Sequence, residues 1–376
     1  MVITNIISIF ANMFLTGLTI NGFRNISEAS LEFSPGINCI SGDNGAGKTN
    51  LLDAVYYLSM TKSFFDSSDR FVYQFGKDEA ILCGNYAMED GQKEKIAVSV
   101  RRSGEKIVKR GAKAYQRLSE HIGLLPVVMV SPIDISLINE SGEERRKYMN
   151  FILSQTDKQY LAHIQAYNQL LAQRNKLLKE DSPSADLLEV MSERMASHAE
   201  YVYEARKELC VRLVPLVSGF YSRLSEDREA VSAAYRSDLG EATLDELFRR
   251  EAAREHILHY STVGIQRDDI SFLLGDHPIR KCGSQGQQKS FLLALKLAQF
   301  LFIKQIYGRT PILLLDDVFD KLDMGRVARL LEIVSSLDFG QIFITDCNKV
   351  RLDDTFARIG APCKSFSVAD GIVSEI

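Results

Sequence analysis

Apolar and polar positions alternate near the start of the chain, and the apolar ones then crowd into short unbroken runs. Leu15 to Ile20, Ala29 to Phe33 and Ile37 to Ile40 read as strands, with Ser34-Pro35-Gly36 as a turn between the last two. From Asn50 to Leu58 the period changes, and Leu51, Val55 and Leu58 fall on one side of a helix. Residues 71 to 130 return to strand-like patterning, at Ala80-Ile81-Leu82, at Ile96 to Val100 and in the apolar run Leu124 to Val130. From about Glu143 the spacing becomes helical. Tyr160, Ile164, Tyr167, Leu171, Arg174 and Leu178 form one stripe; Met191, Met195, His198, Val202, Ala205 and Leu209 form a second; Asp181-Ser182-Pro183-Ser184 separates them. Two stripes joined by a short polar break predict an antiparallel helical hairpin, and Pro215 predicts a kink or an end in a later helix. After about residue 262, Ile270 to Leu274, the turn Gly275-Asp276 and Pro278 to Arg280 read as a hairpin. Lys289 to Phe302 reads as a helix. Ile312 to Leu315 and Gln341 to Thr345 have the aliphatic content of buried parallel strands.

The α/β pattern therefore brackets a helical insertion. It predicts a head whose first half is 13–140, including a β-rich subdomain, an arm at 141–250, and a second half of the head at 251–376. A chain of 376 residues has room for one large or two modest domains. No charge precedes Arg24, so the basic opening of a secretory signal is missing, and Asn5, Thr16, Thr19 and Asn21 interrupt any run of membrane-spanning length. Residues 1–12 read as a start-site extension, with Met13 as the beginning, and a cytoplasmic protein without a membrane partner is expected.

Charge and cysteine content narrow the chemistry. A net charge of −4 gives no global basic field, so any nucleic-acid contact must be local. The one basic run is Arg101, Arg102, Lys106, Lys109, Arg110, Lys113 and Arg117; of these Arg101, Arg102, Lys109, Arg110 and Lys113 are the candidates for DNA phosphates. No interleaved aromatic series accompanies them, so base-specific reading is not expected. The six cysteines contain no CxxC pair, which argues against a disulfide framework or a zinc site. His256 and His259 could share a helix face, but Ile257, Leu258 and Tyr260 surround them.

Chemistry concentrates at three places. Gly42-Asp43-Asn44-Gly45-Ala46-Gly47-Lys48-Thr49 follows a predicted strand and opens a predicted helix, the context in which G-x-x-x-x-G-K-[ST] cradles phosphates. In that reading the glycines turn backbone N–H groups inward, Lys48 reaches the β- and γ-phosphates of ATP, and Thr49 ligates Mg²⁺. Asp316-Asp317 ends an aliphatic strand; Asp316 suits the Mg²⁺ site and Asp317 a base that orients water. Ser284-Gln285-Gly286-Gln287-Gln288 precedes a helix. Ser284 is a good N-cap, and its hydroxyl with Gly286 and Gln287 also suits an anion presented by a second copy of the chain. Leu322-Asp323 would line the same seam.

These segments, with Asn21-Gly22-Phe23-Arg24-Asn25, Ser34 to Asn38, Ser131-Pro132, Asp134, Arg145-Arg146 and Arg267-Asp268-Asp269, resemble the RecF family of ABC-type ATPases, related to SMC heads. The likeness covers nearly everything from Met13 onward. It rests on the Ser-Gln-Gly-Gln-Gln run and the double Asp more than on the phosphate loop. It implies an ABC-type P-loop head with a mixed sheet and a helical arm, an ATP-dependent homodimer, and slow Mg²⁺-dependent hydrolysis. It also implies DNA binding at single strands or single/double-strand junctions, work with RecR- and RecO-type mediators in repair, replication and SOS induction, and a contact of Arg24 with the nucleotide. Three departures stand out. Gly264-Ile265-Gln266-Arg267-Asp268 lacks the family's Pro and His, Lys321 replaces a smaller or acidic residue, and no switch histidine follows Asp346. The other class weighed is a defence or transport-like ATPase using the arm to dock a protein. The missing histidine argues against transport, and the lack of a spare acidic cluster argues against a nuclease.

Overall fold

The computed structural model describes residues 13–66, 68–88, 91–226, 229–319, 322–336, 339–347 and 363–376. Residues 1–12 and Lys321 lie outside them. The chain divides into two compact units, one of residues up to 133 and from 299 onward, the other of residues 134–298. This division departs from the expected boundaries at 140/141 and 250/251. The segment 251–298 groups with the arm, because strands and salt bridges tie it to residues 142–236.

In the first unit, among the described residues, six strands form an antiparallel sheet in the order β2 (Ile26–Glu32), β1 (Met13–Phe23), β4 (Glu79–Met88), β5 (Lys93–Arg101), β6 (Lys106–Arg110) and β7 (Lys113–Ala114). One face is apolar and the other polar, the alternation that a half-buried antiparallel sheet requires. A second sheet runs β15 (Ile372–Glu375), β14 (Cys363–Ala369), β3 (Ile37–Ser41), β13 (Ile342–Asp346), β12 (Ile312–Asp316) and β8 (Val127–Val130). β14, β3, β13, β12 and β8 are mutually parallel, and β15 is antiparallel to β14. Every residue of β3, β8, β12 and β13 is buried, which explains the near-continuous apolar content of β8 and β12.

Helix α1 (Lys48–Met60) packs against strands of both sheets, so it is buried nearly all round rather than on the single face its spacing predicts. Leu51, Leu52, Val55 and Leu58 are each at most 1% exposed, and burying each contributes about 1.5–3 kcal/mol. Helix α9 (Met324–Ser336) follows β12, and Asp323 accepts from Arg326 N at its start.

The second unit opens with two helices, α2 (Ser136–Asn139) and α3 (Gly142–Thr156). The expected hairpin follows as α4 (Lys158–Leu177) and α5 (Ala185–Ser225). Its inner stripe uses Leu170 in place of Leu171, since Leu170 lies three residues from Tyr167 and four from Arg174. Pro215 neither ends nor interrupts α5. It is exposed, so the carbonyl that loses its N–H partner, four residues earlier, faces the solvent side of the helix. β9 (Val231–Arg236), β10 (Asp269–Leu274) and β11 (His277–Pro278) make a three-stranded antiparallel sheet. The expected second strand of the hairpin stops at Pro278, and Arg280 enters α7 (Ile279–Cys282). α6 (Leu244–Leu258) starts with a Thr243/Glu246 capping box. α8 (Gln285–Tyr307) is long and apolar enough by composition to cross a membrane, but its apolar window is mostly buried within the protein and reads as a core helix.

Buried guanidinium groups hold this unit. Arg206, at most 2% exposed, donates to Tyr160 Oη (3.1 Å), Asn150 Oδ1 (2.9 Å) and Ile265 O (2.7 Å) and pairs with Asp268. Arg174 pairs with Glu255 at 2.7 Å and stacks 3.7 Å from the Phe248 ring. Helical spacing alone placed Arg174 in an apolar stripe; the carboxylate of Glu255 makes that burial tolerable.

Candidate nucleotide-binding site

The parallel sheet of the first unit sets the site. β3, β13 and β12 end side by side at Ser41, Asp346 and Asp316, and β8 ends one residue before Ser131. The carboxyl edge of a parallel sheet is where such folds bind ligands. The loop 42–47 leaves β3 there and enters α1. Gly42 has φ +155° and Gly47 φ +118°. A Cβ on Gly42 would lie 2.2 Å from the Val368 carbonyl oxygen, and one on Gly47 2.7 Å from the Asn25 amide. Neither position admits a side chain. No side chain caps α1 and its first turn carries no acid, so its leading N–H groups and dipole face the loop unopposed.

Asp43, Asn44 and Gly45 are exposed at the loop tip, while Ala46, Gly47 and Lys48 are buried. Lys48 Nζ donates to the carbonyls of Gly42 (2.6 Å) and Asp43 (2.9 Å), which curls the loop around its ammonium. Asn25 supports the loop from outside: its Nδ2 donates to Ala46 O at 3.0 Å, and its Oδ1 accepts from Asn50 Nδ2 at 2.8 Å. Asn25 received no role from the sequence, although it lies in one of the quoted segments.

Thr49 Oγ1 donates to Asp316 Oδ1 at 2.9 Å, so the two residues expected to hold Mg²⁺ are in contact. Thr345 Oγ1 donates to the same oxygen at 2.9 Å and Ser131 Oγ to Oδ2 at 3.2 Å. Burial pushes the Asp316 carboxyl up from its ordinary value, and these three hydroxyls and Lys48 act against that shift. Hydroxyl and carboxylate oxygens without sulfur or imidazole suit a hard divalent cation, so the donor set fits Mg²⁺. Thr345 and Ser131 fix the carboxylate and were missed as site residues. Only the strand pairing, which sets their chain ends beside β12, reveals them.

Asp317 has φ +46°, an uncommon conformation for a residue other than glycine, and its N–H donates to Thr345 Oγ1 at 3.0 Å. Asp317, Asp346 and Cys347 bring ligand atoms within 4.8 Å of one another, an acidic rim to the same strand edge. Arg24 is engaged within the protein. Its Nε pairs with Asp53 at 2.8 Å and its Nη2 donates to Ser63 Oγ at 2.7 Å, with 16% of the side chain exposed.

In the second unit Ser284 is exposed just before α8. Its N–H donates to Gln287 Oε1 (2.6 Å) and its Oγ accepts from Gln287 N (3.3 Å), a reciprocal cap, while Gln287 Nε2 reaches Glu229. The cap holds the serine hydroxyl and the start of the helix at the surface, with Gly286 in its first turn.

The DNA candidates divide into two groups. Arg101 pairs with Glu79 and Glu105, Arg102 with Asp78, and Arg110 with Glu94. Lys109 and Lys113 are exposed and have no acidic partner among the described residues. Lys109 lies opposite Ala97 on β5, two residues from Lys95, so strand register adds Lys93 and Lys95 to that face.

The model for the RecF/RecN/SMC N-terminal domain matches residues 14–361. The chain is 43% identical over 365 residues to the DNA replication and repair protein RecF of Bacteroides thetaiotaomicron, covering 97% of this chain and 99% of that one. It is 44% identical over 366 residues to RecF of Azobacteroides pseudotrichonymphae, covering 97% and 100%. The solved structure of the recombination mediator protein RecF with ATP in the RecFOR pathway superposes with a TM-score of 0.88 at 29% identity, covering 98% and 99% of the two chains. An Smc head domain from Pyrococcus furiosus shares the fold at a TM-score of 0.58 and 17% identity, covering 97% and 96%. The fold is that of an ABC-type ATPase head with an inserted helical arm, and the chain belongs to the RecF family.

Proposed function

We propose that this chain is an ATP-dependent DNA-binding protein of recombinational repair and replication. It dimerises around ATP, acts at single-strand gaps in the cytoplasm, and promotes recombinase loading and SOS induction with RecR- and RecO-type mediators. The observation that carries the reading is the Thr49–Asp316 contact of 2.9 Å between the end of the phosphate loop and the tip of β12. It joins the two halves of a P-loop site that lie far apart in sequence. The relatives' names support a role in replication and repair, and the solved structure of RecF with ATP in the RecFOR pathway supports the nucleotide and the mediators.

The roles follow from position. N–H groups of loop 42–47 and of the α1 start hold the phosphates, and Lys48 exchanges its two loop carbonyls for β- and γ-phosphate oxygens. Thr49 and Asp316 hold Mg²⁺, which would neutralise charge on the transferring phosphoryl group. Asp317 orients the attacking water. The exposed Ser284 and the helix start behind it, with Gly286 and Gln287, close over the γ-phosphate bound by the other copy, so one nucleotide joins two chains. Without a switch histidine after Asp346, hydrolysis is slow and the bound state long-lived. Lys109, with Lys93 and Lys95, supplies phosphate contacts on the outer face of the antiparallel sheet, and Lys113 supplies another at its β7 edge. Arg101, Arg102 and Arg110 rank below them because carboxylates already neutralise them.

The test is gapped-DNA binding with and without ATP, in the wild type and in Lys48→Met. ATP should tighten wild-type binding in a strongly salt-dependent way, and Lys48→Met should bind no ATP and lose the ATP effect. Undiminished ATP affinity in the variant would refute the site. No structural feature favours a defence or transport ATPase.

A further inference from the structure

The Arg267-Asp268-Asp269 segment is not used by the nucleotide site. Its two carboxylates are structural: Asp268 is paired with the buried Arg206 and accepts from Tyr235 Oη at 2.6 Å, and Asp269 is paired with Arg145. Arg267 is different. It is exposed, and among the described residues its guanidinium has no hydrogen-bond or ion-pair partner. It borders a groove of about 800 Å³ between α5, β9 and the 237–241 turn, wholly within the second unit.

Arg236, at the end of β9, borders the same groove, is exposed, and is equally unpartnered. It stands opposite Asp269 in the β9–β10 register, so the two free guanidiniums belong to one end of that sheet. Two tyrosine rings, Tyr203 of α5 and Tyr235 of β9, line the same groove. Tyr203 and Tyr235 have ring centroids 6.0 Å apart and planes inclined by 30°. The hydrogen bond to Asp268 fixes Tyr235, and Lys207 sits 5.2 Å over the Tyr203 ring while bonded to Glu204. Two carboxylates also line the groove. Asp238 is occupied by the Gly264 N–H at 3.2 Å, which leaves Glu241 as the free one.

We infer that this groove binds single-stranded nucleic acid, with Tyr203 and Tyr235 taking base faces and Arg236 and Arg267 taking the adjoining phosphates. Free guanidiniums without carboxylate partners suit phosphate oxygens, and a partly open pair of rings suits unpaired bases of any sequence. A duplex, whose base faces are already stacked, could use only the charges. The inference rests on the DNA-binding reading and adds a site to it on the arm. Sequence inspection did not find an aromatic platform because this one is assembled from three separate segments, around residues 203–207, 235–236 and 267.

The experiment measures fluorescence anisotropy of labelled oligothymidine with the full-length protein over a range of salt. The variants are wild type, Arg236→Ala/Arg267→Ala, Tyr203→Ala and Tyr203→Phe. The double arginine variant should bind more weakly and lower the slope of log affinity against log salt by about 1.4, at about 0.7 per phosphate contact. Tyr203→Ala should weaken binding roughly 5- to 100-fold, and Tyr203→Phe should retain it. Both changed arginines are exposed and unpartnered, so unchanged circular dichroism and ATP affinity should accompany the effect. A wild type that binds oligothymidine and an arginine variant with the same affinity and slope would overturn the groove while leaving DNA binding elsewhere intact. A wild type that binds neither gapped DNA nor oligothymidine would overturn the functional reading itself. Arginine-dependent binding of a polyglutamate peptide, with no oligothymidine binding, would assign the groove to an acidic protein segment and also overturn the inference.

Discussion

Asp316 shows how little of a site a single residue makes. Its carboxylate is aimed by Thr49, Thr345 and Ser131, which reach it from the ends of three different elements. The sequence exposed Asp316 and Thr49, because an acid after an aliphatic run and a Thr after Gly-Lys are local patterns. Ser131 and Thr345 have no such local mark. The same contrast holds in the arm, where Arg145 and Asp269 could be quoted as family residues but not paired. Arg145 forms a two-pronged bridge to Asp269, at 2.6 and 3.0 Å. Burial pushes the Asp269 carboxyl up, but the hydrogen bonds and charge of Arg145 more than offset this and hold it below the usual carboxylate range. A carboxyl depressed in the folded state contributes stability above its unfolded pKa and loses it as pH falls through the folded one. Denaturant titrations from about pH 7 down to about pH 3 should therefore show a loss of stability that Asp269→Asn makes shallower, with the variant already weaker at pH 7. An unchanged acid limb in the variant would contradict this assignment.

At the level of elements, the strands were legible and the helix boundaries less so. β12 is aliphatic up to Asp316 because both faces of the strand are covered, and no alternative period competes with that signal. α1 was legible as a helix but not as a central one, since burial on both sides depends on two sheets formed by distant segments. Pro215 does not end α5, because its cost is local while α5 is held along its length by packing against α4, β9 and α6. Tertiary contacts offset a helix-interior proline that costs about 3 kcal/mol in isolation. Pro215→Ala should then raise the stability of the arm by up to that amount, seen as a higher unfolding midpoint with no change in ATP affinity. A lower midpoint would mean that the proline shapes α5 in a way the packing needs.

In the proposed function the nucleotide residues of the whole molecule fall on two compact units, the phosphate loop and Asp316 on one and Ser284 on the other. The order of segments along the chain placed Ser284 with Asp316 in the second half of the head, whereas the compact units part at residue 298 and group Ser284 with the arm. The serine cap legible in the sequence is present, with Ser284 Oγ accepting from Gln287 N, but nothing local showed that the serine would stand exposed. In the proposed dimer that surface position would let Ser284 seal the nucleotide of a second copy. Replacing the serine with a long cation should leave ATP binding in each chain intact and prevent closure on the neighbour's phosphates. Sedimentation velocity of Ser284→Arg with saturating ATP is the direct measurement. Monomers that bind ATP as tightly as the wild type, under conditions where the wild type sediments as a dimer, are predicted. An ATP-dependent dimer of undiminished stability in the variant would contradict the account.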